Sequence, residues 1–197
     1  IPILNVESED GSRLQDYETI LDELGIDLLL VLGWYYMVPK SVRERVKLGA
    51  WGIHASLLPN YAGGAPLNWA IINGEKETGV TLFRMEDGVD DGDVIAQERF
   101  GIDSEDTISE VYDKATLASK ELLKEVFDSF DAITFTPQNK EDIKVYPQRS
   151  PQDGKIDLSM SAVDMYNFIR AQSSPYPGAY IETADGKKII IEKARIE

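Results

Sequence analysis

The sequence predicts an α/β fold: an open, mostly parallel sheet with helices on both faces, followed by the start of a small β-rich C-terminal appendage. Three observations predict it. Apolar runs of strand length alternate with stretches of helical period over roughly the first 130 residues. One run, Ile26 to Leu32, is almost unbroken, the pattern of a parallel strand covered on both faces. The last stretch holds two β-rich runs around Asp185-Gly186, a hairpin signal.

The elements follow in order. Tyr17, Ile20, Leu21 and Leu24 recur at helical spacing and Gly25 follows as a stop, so a helix is expected over about 13–24. The strand from Ile26 ends at Gly33. Pro39 suits the first position of a helix, where a missing N–H costs nothing, and that helix should pass Val42 and Val46 to end near Gly49. Ala50 to His54 is the next strand. Pro66 opens a helix through Trp69, Ile71 and Ile72 that Asn73-Gly74 closes, and residues 78–85 alternate as a strand. The acidic loop 86–93 holds two Asp-Gly steps before extended character returns over 94–100. The longest helix starts near Thr107, with Glu110 completing a capping box, and its apolar face runs through Val111, Ala115, Ala118, Leu122 and Val126. Residues 131–158, rich in Pro, Gln, Asp and Ser, read as a surface linker. A short helix capped by Ser161 follows. A two-residue hairpin is expected between 179–183 and 187–193.

Composition excludes several classes of function. With 35 acidic residues against 20 Lys plus Arg, the 197-residue chain carries −15 at neutral pH and repels phosphate backbones. Its 43% hydrophobic content rules out disordered and fibrous classes. The absence of cysteine excludes disulfides, thiolate nucleophiles and iron–sulfur clusters. With one histidine, His54, a zinc site cannot be built from His and Cys, and no metal is expected. No apolar run reaches the roughly 20 residues of a membrane span and no signal peptide opens the chain, so a soluble, cytoplasmic protein is expected. The first residue is Ile1, which points to processing or to a piece of something longer.

His54 stands at the carboxyl end of a predicted strand, where open α/β sheets place their chemistry. The loop after it carries Ser56-Leu57-Leu58-Pro59 and then Gly63-Gly64-Ala65-Pro66, which brings backbone close to a cleft. A second carboxyl-end loop holds Asp87, Asp90, Asp91 and Asp93. One of these can face the imidazole, while the others read as solvated Asp-Gly turns. Their spacing is not that of a calcium loop, and neither a dinucleotide fingerprint nor a Walker P-loop is present. The residues themselves therefore indicate a His–Asp acid/base pair in an α/β cleft.

The string Gly52 to Pro59, with Gly63 to Pro66, Trp69 to Ile72, Thr78 to Thr81 and Asp90-Asp91-Gly92-Asp93, resembles the formyltransferase family that uses 10-formyltetrahydrofolate. The resemblance continues through Asp106-Thr107, Tyr112 to Lys114, Asp157 to Ser161, Ile169 to Ala171 and Pro175 to Ala179, in the order seen in methionyl-tRNA formyltransferases and sugar N-formyltransferases. It implies a Rossmann-like sheet with His54 and Asp90 as the catalytic pair. It also implies that Ser56, Leu57, Leu58 and Pro59 form a folate-contacting loop and that Gly33-Trp34 edges the pterin pocket. The implied reaction moves a formyl group from the folate to a primary amine.

Three departures from the family pattern qualify what the resemblance implies. Gly52 replaces an asparagine whose amide helps hold the formyl oxygen, which makes a formyl-folate hydrolase or a non-catalytic folate-binding relative the alternatives. Ala62 replaces an arginine often found before the glycine-rich turn. The family's domain usually begins about two strands before Ile1. The charge of −15 favours a nucleotide-linked amino sugar as acceptor over the methionyl-tRNA alternative, since tRNA binding needs phosphate neutralisation. The expected division is 1–130 as catalytic domain, 131–172 as linker and packing helix, and 173–197 as the start of a β-rich subdomain.

Overall fold

The computed structural model describes residues 14–34 and 36–197. The expected helix start at Arg13 lies outside them. A 3-10 turn (Leu14–Tyr17) runs into α1 (Glu18–Leu24), which Gly25 ends in the left-handed conformation, φ 58°. Then follow β1 (Leu29–Val31), α2 (Lys40–Arg43), β2 (Ala50–His54), β3 (Ala62–Gly63), α3 (Pro66–Ile72), β4 (Glu77–Arg84), β5 (Val94–Gly101) and α4 (Ile108–Asp128). β6 (Val145–Tyr146), α5 (Ala162–Arg170), β7 (Ala179–Glu182) and β8 (Lys188–Ile191) complete the order.

The α/β class and the C-terminal strand pair are those expected, and strand direction is where the structure is more particular. The main sheet has the order β1-β2-β4-β5. β1 and β2 are parallel, whereas β2–β4 and β4–β5 are antiparallel. The reason lies in the connections. Residues 85–93 contain no helix and can only return the chain as a hairpin. The seven residues of α3 rise about 10 Å, against roughly 26 Å for the eight of β4, so they do not make a full crossover.

Four other expectations are corrected. β1 covers only Leu29–Val31 and is half-buried, because among the described residues it pairs with β2 alone; Leu32 is 51% exposed. α2 stops at Arg43 instead of reaching Gly49, and the chain goes on through turns. The terminal hairpin is wider than a two-residue turn: Thr183 N–H donates to Lys187 O, leaving a loop of Ala184, Asp185 and Gly186 with Gly186 at φ 78°. The last concerns the helices.

Side chains alternate along β2, so Trp51 and Ile53 face one way and Gly52 and His54 the other. On the first face Trp51, Val80 and Leu82 pack with Leu67 of α3 and Leu122 of α4. On the second, Gly52 lies against Phe83 and Met85, and Phe83 joins Leu58 and Ala62 with Ile143 packed beside them. Around the site that second face is covered by loop 56–63 and linker residues, where a helix was expected. α4 carries the predicted cap: Thr107 N–H donates to Glu110 Oε2 at 2.8 Å while Ser109 N–H donates to the Thr107 hydroxyl. A smaller core of Ile156, Phe168, Ile169 and Ala179 fastens α5 and β7 to Ile72 of α3. No helix among the described residues is long and apolar enough to cross a membrane.

Candidate active site

β2 ends at His54, and the chain turns through 55–60 to come back beside its own strand. Tyr61 makes the return in the left-handed region, φ 56°, and β3 then pairs in parallel with β6. That return puts two backbone groups against the site. His54 Nε2 donates to Tyr61 O across 2.8 Å, since a carbonyl can only accept. His54 Nδ1 lies 3.4 Å from Asp90 Oδ2, and the same carboxylate oxygen accepts the Gly63 N–H at 2.8 Å. The two side chains are 10% and 20% exposed, largely out of water yet open to a small substrate.

The structure separates the four loop carboxylates. Asp87 pairs with the Arg43 guanidinium, which holds its carboxyl below the usual carboxylate range. Asp91 meets Lys140 at 3.0 Å, and the Asp93 carbonyl accepts from Arg84 N–H in the sheet. Asp90 alone of the four meets the imidazole. Among the described residues no group of three or more acidic or histidine side chains is arranged to hold a metal.

Residues 56–59 form a braced wall. The Ser56 hydroxyl is buried and donates to Asn60 O at 2.6 Å, and Leu58 is buried against Ala62 and Phe83. Leu58 N–H donates to Thr81 Oγ1 at 3.1 Å, Leu58 O accepts from Gln97 Nε2 at 2.9 Å, and the Leu58–Pro59 peptide is cis. Leu57 and Pro59, both half-buried, are the side chains of this stretch that keep surface.

Gly33, at φ 62°, lines a mainly apolar cavity of about 340 Å³ with Leu32, Ile53, Ala55 and Val80. With Leu67, Ala115, Ser119 and Leu123 completing its lining, the cavity lies on the α4 face of the sheet, on the side of β2 opposite the His54 imidazole. Trp34, next to Gly33 in the chain, is not among the residues lining it, and its buried Nε1 has no partner among the described residues. A larger cavity, about 460 Å³, opens at the other end of β2 around Lys40, Arg43, Lys47 and Arg84. Arg43 there is spent on Val38 O, Met85 O and Asp87, and no cavity-lining residue belongs to the His54 cluster.

Sequence reading missed the bracing groups: Tyr61 O, Gly63 N–H, Thr81 and Gln97. The only signal was Gly63-Gly64. A Cβ on Gly63 would sit 2.5 Å from Tyr146 O, and one on Gly64 2.4 Å from Gln148 Cα, so both glycines are needed where the backbones touch. Tyr61 stacks on Tyr146, ring centroids 4.8 Å apart, and its phenol donates to Glu75. Burial, and then that carboxylate, raise the phenol above its ordinary pKa.

The formyl transferase family model matches residues 5–127, and the model of the family's C-terminal domain matches 149–197. The chain belongs to the formyl transferase family. The bifunctional polymyxin resistance protein ArnA of Wigglesworthia glossinidia brevipalpis is 35% identical over all of this chain and 30% of its own length. The methionyl-tRNA formyltransferase of Lactobacillus gasseri is 36% identical over 86% of this chain and 54% of its own. Among solved structures, the Helicobacter canadensis N-formyltransferase in complex with folinic acid and dTDP-3-aminofucose is 26% identical. It superposes with a TM-score of 0.63 over 72% of this chain and 53% of that one. This formyl transferase chain thus spans about a third to a half of the curated relatives' length.

Proposed function

We propose that this chain transfers a formyl group from 10-formyltetrahydrofolate to the primary amine of a nucleotide-linked amino sugar. The observation that carries the reading is the His54 imidazole fixed between Tyr61 O and the Asp90 carboxylate at the end of β2, in a chain of this family. In the reaction the acceptor nitrogen adds to the formyl carbon, and the His54–Asp90 pair takes the proton that nitrogen must lose. The bond to the folate N10 then breaks and the same pair returns the proton there. The folate would contact Gly33-Trp34 and the 56–59 loop, whose Leu57 and Pro59 keep surface, whereas the apolar cavity at Gly33 lies on the opposite, α4 face of the sheet. The division at about residues 130 and 173 belongs to the same reading. A neighbour crystallised with a formylated folate and an amino sugar nucleotide supports this choice of donor and acceptor.

Methionyl-tRNA as acceptor is the second reading, favoured by the curated relative of that name. The charge of −15 argues against it, because each phosphate contact needs a cation. Adding 10-formyltetrahydrofolate with and without dTDP-linked amino sugar tests the proposal. Release of tetrahydrofolate only with the sugar is expected. Release without any amine would mean hydrolysis, no release would mean a binding relative, and formylation of methionyl-tRNA at a comparable, steeply salt-dependent rate would replace the sugar.

Gly52 offers a second test. Its backbone is outside the left-handed region, and an added Cβ would meet Phe83 Cε1 at 3.3 Å and the flexible Met85 side chain at 3.4 Å. Gly52→Asn should therefore fold and raise transfer relative to hydrolysis by supplying an oxyanion donor on the His54 face. Unchanged rates in a stopped assay would show that the position does not face the reacting carbon.

A further inference from the structure

We propose that Gln138, in the linker, is a positioning residue that holds the Asp90 loop in register with His54. The inference rests on the His54–Asp90 pair being the acid/base unit. Gln138 Nε2 donates to Asp90 O at 2.8 Å and to Gly92 O at 2.6 Å, so one amide group ties together two carbonyls two residues apart. Reversing the amide would set oxygen against oxygen, which fixes its orientation. Its Oε1 is buried without a partner among the described residues, so the donor end is what the site uses.

The anchor for this tie is firm. Two residues before Gln138, Thr136 exchanges both backbone hydrogen bonds with Val94 at 2.8 Å, pinning the linker to the start of β5. The loop it holds needs holding. Asp90 adopts φ 50°, a region costly for a residue with a Cβ, and its carboxylate oxygen is already engaged by Gly63. Gly92 is pressed so close to the end of β4 that a Cβ would fall 1.8 Å from Arg84 O. With both loop carbonyls released, the turn can relax and the carboxylate shift away from Nδ1. A displacement of about 1 Å at reacting groups costs on the order of a hundredfold in rate.

Gln138→Met keeps the volume and removes the donor. We expect it to lower kcat by about 10- to 100-fold with KM for the amine and affinity for the folate within threefold of wild type. Gln138→Glu presents a carboxylate to two carbonyls and should be at least as slow, with its rate relative to Gln138→Met recovering at low pH, where a protonated carboxyl can donate again. Lys140→Ala, which removes only the exposed partner of Asp91, should change kcat less than threefold. A Gln138→Met kcat within threefold of wild type, a kcat loss equalled by Lys140→Ala, or failure of both Gln138 variants to fold would overturn the proposal. Asp90→Asn is assayed alongside. If it keeps full turnover, the acid/base reading itself falls; if it is inactive while Gln138→Met is not impaired, only the positioning role falls.

Discussion

Trp51 and His54 stand three residues apart on β2, yet the surroundings of their two side chains are assembled by different means. Trp51 is 1% exposed and packs into a core drawn from β4, α3 and α4, where each neighbour contributes volume. His54, on the opposite face, touches a backbone carbonyl from the 61–63 return and a carboxylate from the 86–93 loop, where each neighbour contributes direction. The first environment tolerates exchange of apolar groups of similar size. The second depends on where a hydrogen-bond acceptor points, and points it from loops. The lesson is that truncation on one face should cost stability, whereas substitution on the other should cost rate.

The largest expected effect tests the rate side. His54→Asn and Asp90→Asn should each lower turnover by about 10²- to 10⁴-fold, with the double variant scarcely worse because the two act as one unit. Melting temperatures should move little; single variants near wild-type activity would erase the distinction. On the other face Trp51→Ala should destabilise by about 3–5 kcal/mol in denaturant titration, with the folded fraction still turning over. A variant that is stable but inactive would place Trp51 on the chemical side.

Gly63→Ala should blur the two classes. Its φ is 91° and the added methyl would lie 2.5 Å from Tyr146 O, so β3 must part from β6 and carry the Gly63 N–H away from Asp90. We expect a loss of about 1–3 kcal/mol together with slower turnover, measured by melting and by kcat. Wild-type behaviour in both would mean the β3–β6 pairing does not set the carboxylate.

The smallest effect lies far from the site. Thr107→Ala removes the cap of α4 and should cost about 1 kcal/mol with turnover unchanged. The Thr107 hydroxyl and then its N–H hold the Glu110 carboxyl below its ordinary value near 4.5. A lowered pKa in the folded state contributes stability that is complete above that value and lost as pH falls through the lowered one. The gap between wild type and Thr107→Ala should therefore narrow below about pH 4.5, a trend read from denaturation midpoints.

Periodicity and punctuation alone determined most elements. Ala50–His54 falls on its expected strand, Pro66 opens α3, Thr107 and Glu110 cap α4, and Ser161 caps α5. These signals are local, carried by side chains within a few residues of one another, so one sequence suffices to read them. The single histidine at a strand end, and the motif around it, likewise pointed to the end of β2. Pairing direction, the depth of β1 and the covering of the second face were decided by the tertiary structure, because they depend on which distant segments arrive as neighbours. The choice of Asp90 over Asp87 and Asp91 at His54 reflects the separate partners that Arg43 and Lys140 supply to those two carboxylates. Tyr61 O and Gly63 N–H were invisible for the same physical reason: backbone groups are identical at every position, and only the fold decides which of them meets a side chain. The Gln138 side-chain amide was invisible because its partners, Asp90 O and Gly92 O, are such groups.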